Sequence, residues 1–114
     1  MPNYGTVGPV AVYPGQQYAM FNAESPTPAQ ASASVTIPKH TNVPIAFTVA
    51  FATSPTDSLV IQGSMVDVDA SYQTLYTSTN TQKDVYLDYG KFQFYRANLA
   101  SQSGGGAVTV IIKR

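Results

Sequence analysis

The chain contains no cysteine and no tryptophan, and only 11% of its 114 residues are charged. Without thiols, neither a disulfide framework nor a thiolate metal site can form. Soluble domains usually carry about 25% charged residues, so neutral Thr, Ser, Gln and Asn must supply most of the polarity. Six Lys and Arg balance six Asp and Glu, with no basic run. This removes the electrostatic footprint that a duplex-binding protein needs, and no nucleic-acid partner is expected. No apolar run approaches the length of a membrane span, and Met1 to Gly8 lack the basic start and apolar stretch of a secretory leader. The expectation is a soluble product made in the cytoplasm, with no membrane partner. No window reads as an amphipathic helix.

What the chain does have is period-two alternation. In Ile45 to Ala52, Ile45, Phe47, Val49 and Phe51 share one face, and Ala46, Thr48, Ala50 and Ala52 share the other. This is the pattern of a half-buried strand. Further strands are predicted over Ser34 to Ile37, Leu59 to Met65, Tyr72 to Ser78, Val85 to Tyr89, Lys91 to Leu99 and Ala107 to Lys113. Turn chemistry separates them, as in Ser54-Pro55-Thr56-Asp57 and Gly104-Gly105-Gly106. Short strands at this spacing point to a sandwich or barrel rather than to βαβ units, and an all-β antiparallel sandwich is the reading taken. A single domain of this length buries about two-thirds of its unfolded surface, enough for one core without staples. The glycine triplet predicts that Lys91 to Leu99 pairs with Ala107 to Lys113 as a hairpin.

Residues 1–34 differ in composition. Pro2, Pro9, Pro14, Pro26 and Pro28 alternate with Gly5, Gly8 and Gly15, ahead of the small-residue tract Ala29 to Ser34. Proline at this density opposes helix and limits ladder formation. The expectation is an extended arm ordered by what it lies against, with short extended pieces at Val10 to Tyr13 and Gln17 to Asn22 and room for one edge strand, ahead of a strand ladder from 35 to 114.

Candidate sites are few. His40, the only histidine, follows Pro38-Lys39 in a turn with no nucleophile motif beside it, and reads as a loop histidine. Asp67 and Asp69 alternate, and with Asp57, Asp84 or Asp88 they offer oxygen ligands to calcium. The spacing lacks the glycine and terminal Glu of a calcium loop, so solvated turn aspartates are the reading taken. No catalytic set, cofactor or metal is expected. The eight tyrosines carry more weight, because tyrosine offers large contact area with few rotors to freeze. Tyr4, Tyr13, Tyr18 and Phe21 in the arm, with Tyr95 and Arg96 in the Lys91 to Leu99 strand, are the expected partner contacts. Asp88 or Asp67 is the expected intramolecular partner of Arg96.

Leu59-Val60-Ile61-Gln62-Gly63-Ser64-Met65, Tyr72-Gln73-Thr74-Leu75, Phe92 to Leu99 with its central Arg96-Ala97-Asn98, and Gly104 to Val110 together resemble small bacteriophage virion proteins. The resemblance covers about the last half of the chain. Length, absent cysteine and the proline-rich arm are most similar to the jelly-roll cement or decoration proteins of short-tailed phage capsids. That resemblance implies a jelly roll without enzymatic activity on the exterior of a virion capsid, clamping neighbouring major capsid subunits, and the charge-poor composition adds the expectation of self-association, with a dimer favoured. It supplies no active residue. The alternative is a tail or fibre module that binds host carbohydrate, which the lack of tryptophan disfavours.

Overall fold

The computed structural model describes residues 10–24, 32, 34–38, 44–51, 58–78, 83–89, 92–101 and 108–114. They form nine strands: β1 (Val10–Ala11), β2 (Gln17–Glu24), β3 (Val35–Thr36), β4 (Ile45–Phe51), β5 (Ser58–Ser64), β6 (Gln73–Ser78), β7 (Lys83–Asp88), β8 (Phe94–Ser101) and β9 (Val108–Lys113). A single 3-10 turn, Asp69–Ser71, precedes β6. The strands build two packed sheets, an all-β sandwich. The first sheet has the order β1-β3-β8-β5-β6 and the second β2-β9-β4-β7. Every pairing is antiparallel except β1 with β3.

The pairing is nested. β2 pairs β9, β3 pairs β8, β4 pairs β7 and β5 pairs β6, so the chain runs as one long hairpin whose two halves bond along their length. Rolling that hairpin up adds the β4·β9 and β5·β8 contacts that complete each sheet.

Alternation sets the core. Ile45, Phe47, Val49 and Phe51 are buried, facing Leu59, Ile61, Ala97 and Leu99 of the other sheet, with Val108, Val110 and Ile112 beside them. All seven strands predicted from residue 34 onward are present. Two expectations are overturned.

First, residues 10–24 are not an arm. Val12, Met20 and Phe21 are buried core residues, and β2 is a full strand of the second sheet. A register shift between Ala19 and Phe21 turns the consecutive side chains of Met20 and Phe21 both inward, so strict alternation fails here and the strand is masked in the sequence. The turn before it, Tyr13-Pro14-Gly15-Gln16, has proline at the second position and Gly15 at φ +84°, and it closes through Gln16 N donating to Tyr13 O at 3.0 Å. Arg114 ties this turn to the sandwich. Its Nη1 donates to Val12 O at 2.8 Å and also to Pro38 O, while its backbone N–H donates to Gln16 O. Burial lowers the pKa of this guanidinium.

Second, the Lys91 to Leu99 and Ala107 to Lys113 strands do not pair as a hairpin. β8 lies in the first sheet between β3 and β5, and β9 lies in the second between β2 and β4. The two strands therefore belong to different sheets. A glycine triplet permits a tight turn but does not require the flanking strands to bond to each other.

Candidate functional site

The carboxylates whose side chains are described act as structural acceptors. Asp88, buried at the end of β7, accepts from Tyr86 OH at 2.9 Å and from Tyr95 OH, so a second-sheet carboxylate is held by a tyrosine of the first sheet. Asp84 on the same strand accepts from Tyr76 OH of β6. The Tyr76 and Tyr86 rings stack with centroids 5.0 Å apart, and Phe47 packs against both Tyr86 and Tyr95. Aromatic side chains thus close the sandwich along its β6/β7 edge. Burial and then the Asp88 hydrogen bond push Tyr86 up to about 12. The same two causes raise Tyr95, and the Asp84 hydrogen bond raises Tyr76.

Asp67 sits in the bend after β5, which is not the extended segment expected for Asp67 and Asp69. It accepts from Ser34 Oγ at 3.0 Å and from Tyr72 OH at 2.7 Å. The side chain of Asp69 lies outside the described residues, as does His40. Among the described residues no group of three or more His, Cys, Asp or Glu is placed to hold a metal ion. Nor does any described helix have the length and apolarity to cross a membrane.

The expected contact residues separate. Phe21 and Tyr95 are core residues, each with 0% of its surface exposed, and cannot present a side chain to a partner. In β8 both faces carry large side chains, so alternation alone cannot say which face is inward. Tyr95, Ala97 and Leu99 turn out to be the inward set. Tyr18 is half-buried against the core, Tyr13 is exposed, and Tyr4 lies outside the described residues. Arg96 is half-buried on the outer face of the first sheet. Its Nε donates to Gln62 Oε1 at 2.8 Å, and its guanidinium carbon sits 4.1 Å from the centroid of the Tyr72 ring. Asp67 and Asp88, the aspartates expected to partner Arg96, accept hydrogen bonds from tyrosine hydroxyls.

Apart from Tyr13, the large exposed apolar side chains among the described residues lie in two groups. One is the bend Met65, Val66 and Val68, with Met65 64% exposed. Its backbone is held by hydroxyls: Ser71 Oγ donates to Val68 O at 2.6 Å and contacts Ser64 Oγ at 2.7 Å, and Ser64 Oγ accepts from Val66 N at 3.1 Å. The other group is on the outer face of the second sheet, where Val85 is 58% and Leu87 51% exposed, with exposed Tyr89 just beyond. Strand register sets the rows of that face. Gln17, Lys113, Ala46 and Leu87 form one row, Ala19, Ile111, Thr48 and Val85 the next, and Thr109, Ala50 and Lys83 the third.

The outer face of the first sheet has a different character. Gln62, Arg96, Asn98, Thr74 and Thr77 point outward there, and its larger apolar side chains, Val60 and Phe94, are buried and half-buried. The signal for the exposed groups was present in the sequence, since Val85 and Leu87 alternate with Asp84, Tyr86 and Asp88. Period two alone does not orient the strand, because Asp84, Tyr86 and Asp88 are its inward side chains.

Comparison of the chain with protein-family models, with curated proteins and with solved structures found no match.

Proposed function

We propose that the protein is a non-enzymatic virion component, a capsid decoration protein that binds the outside of a shell and braces neighbouring capsid subunits. The observation that carries this reading is the division of the large exposed aliphatic side chains and Met65, among the described residues, into two groups on one body, the bend at Met65 to Val68 and the outer face of the second sheet. A protein that joins two neighbours needs two contact surfaces held at a constant separation. Hydroxyl-tied loops and a closed sandwich supply that rigidity. Weak contacts repeated over a lattice reinforce one another by raising the effective concentration at each site.

The nested pairing of β2 with β9, β3 with β8, β4 with β7 and β5 with β6 favours a jelly roll, an eight-stranded double-sheet architecture used by capsid proteins and by lectins. The described carboxylates support a surface role as well, because their oxygens are engaged by tyrosine and serine hydroxyls within the fold. The bracing no longer relies on residues 10–24 as an arm. Self-association as a dimer belongs to the same proposal, since a chain with formal net charge zero has little repulsion between copies.

Co-sedimentation with purified shells of the phage that encodes the chain, run beside a glycan array, tests this. The expected result is saturable shell binding, increased resistance of the shells to heat, and an empty array. Glycan binding without shell binding points instead to a tail or fibre module.

A further inference from the structure

An antiparallel sheet with one face in water normally turns polar side chains outward. The first sheet obeys this rule and the second departs from it. Around Thr48, the outward side chains of the second sheet are Ala46, Ala50, Val85, Leu87 and Ile111. The small residues of β4 lie in a shallow floor between the larger ones of β7 and β9, a shape that admits a protruding apolar surface.

The charges of this face are of one sign. Lys113 stands in the row of Ala46 and Lys83 in the row of Ala50, on the strands that flank β4. Four residues along the strand and two strands across place the two Cα atoms about 17 Å apart, at opposite corners. Both lysines are exposed. No carboxylate whose side chain is described points outward from this face. Asp84 and Asp88 alternate with Val85 and Leu87 on β7 and are held by Tyr76, Tyr86 and Tyr95.

We propose that this face is the seat of a different protein, one whose matching surface is apolar at its centre and carries carboxylates at its rim. The argument for that occupant is charge complementarity. A second copy docking here by the same face would bring two more lysines and, among the described side chains, no carboxylate to meet them. An acidic rim pairs with both lysines and leaves the apolar floor to be covered. The inference deepens the decoration reading and rests on it, with the exposed outer surface of a capsid subunit as the partner.

The test is co-sedimentation of the full chain with purified shells at low and high salt, using three variants whose thermal unfolding is first checked against the parent. Leu87→Asp is expected to weaken shell binding by about tenfold or more. The double variant Lys83→Glu with Lys113→Glu is expected to weaken it at low salt and to flatten its salt dependence. Thr77→Asp, on the outer face of the first sheet, is expected to bind as the parent does. Parent binding with unchanged Leu87→Asp and lysine variants overturns this inference and leaves the decoration reading standing. Absence of parent binding removes the decoration reading and the inference with it. Sedimentation velocity of the chain alone separates the remaining case: if Leu87→Asp abolishes self-association and not shell binding, the face seats a second copy and the inference is overturned.

Discussion

Tyr95 of the first sheet donates its hydroxyl hydrogen to the carboxylate of Asp88 in the second, so a buried side-chain hydrogen bond spans the core. Tyr95 OH also accepts from Phe92 N at 3.3 Å. Replacing Tyr95 by Phe keeps the ring and removes both interactions. A lost hydrogen bond to a charged group costs about 1.5 to 3 kcal/mol. Urea denaturation of Tyr95→Phe is expected to show a lower midpoint with an unchanged slope. An unaltered midpoint would show that Asp88 needs no donor from the first sheet.

The tyrosines around this bond predict behaviour at high pH. The folded state holds the Tyr86 proton more tightly than the unfolded chain does, with the pKa raised from 10.0 to about 12. Tyr72 and Tyr95 are shifted in the same direction, by burial first and aspartate hydrogen bonds second. The Tyr86 contribution to stability is therefore complete below pH 10 and is lost as pH rises through about 12, and the contributions of Tyr72 and Tyr95 change in the same sense. Absorbance of tyrosinate and circular dichroism followed together should show these groups ionising in step with alkaline unfolding. Full ionisation of all eight tyrosines near pH 10, with the fold intact, contradicts the assignment.

Gly63 pairs with Tyr95 across the first sheet, and the Phe92 ring covers it closely. A Cβ at this position would lie 2.8 Å from Phe92 Cδ2 and 3.0 Å from Leu75 Cδ1. Gly63→Ala must displace a ring packed against the core, and overpacking of this kind costs about 1 to 3 kcal/mol. Phe92→Leu should relieve part of it. In a double-mutant cycle the pair is expected to lose less stability than the sum of the single changes, and strict additivity excludes the contact as the cause.

Ser78 presents a contrasting case. Its Oγ is buried opposite Leu59 without a hydrogen-bond partner. Ser78→Ala removes an unsatisfied hydroxyl and adds no volume, so a gain of about 1 kcal/mol is expected in thermal or urea unfolding. A loss of similar size would mean that the hydroxyl is satisfied.

Legibility in the sequence followed the kind of information each feature depends on. The strands from residue 34 onward were readable because period two is local and turn residues punctuate it. β2 was not readable as a full strand, because its register shift places Met20 and Phe21 inward in succession and a proline-rich neighbourhood suggested an arm. Among candidate contacts, exposed Tyr13 and half-buried Arg96 remain at the surface, whereas Phe21 and Tyr95 were misjudged because large aromatic side chains suit an interface and a core equally well. Val85 and Leu87 went unnoticed as surface residues for the converse reason.

The amino-acid sequence by itself determined that this chain folds as strands around one cysteine-free core, and that Ile45, Phe47, Val49 and Phe51 line it, because alternation is written in adjacent residues. Only the tertiary structure decided that β8 joins β3 and β5 rather than β9, and that Asp84 and Asp88 face inward while Val85 and Leu87 face out. Pairing partners lie far apart along the chain. A strand with large side chains on both faces is oriented by what the other sheet offers, here Tyr76 and Tyr95 as donors to the two aspartates.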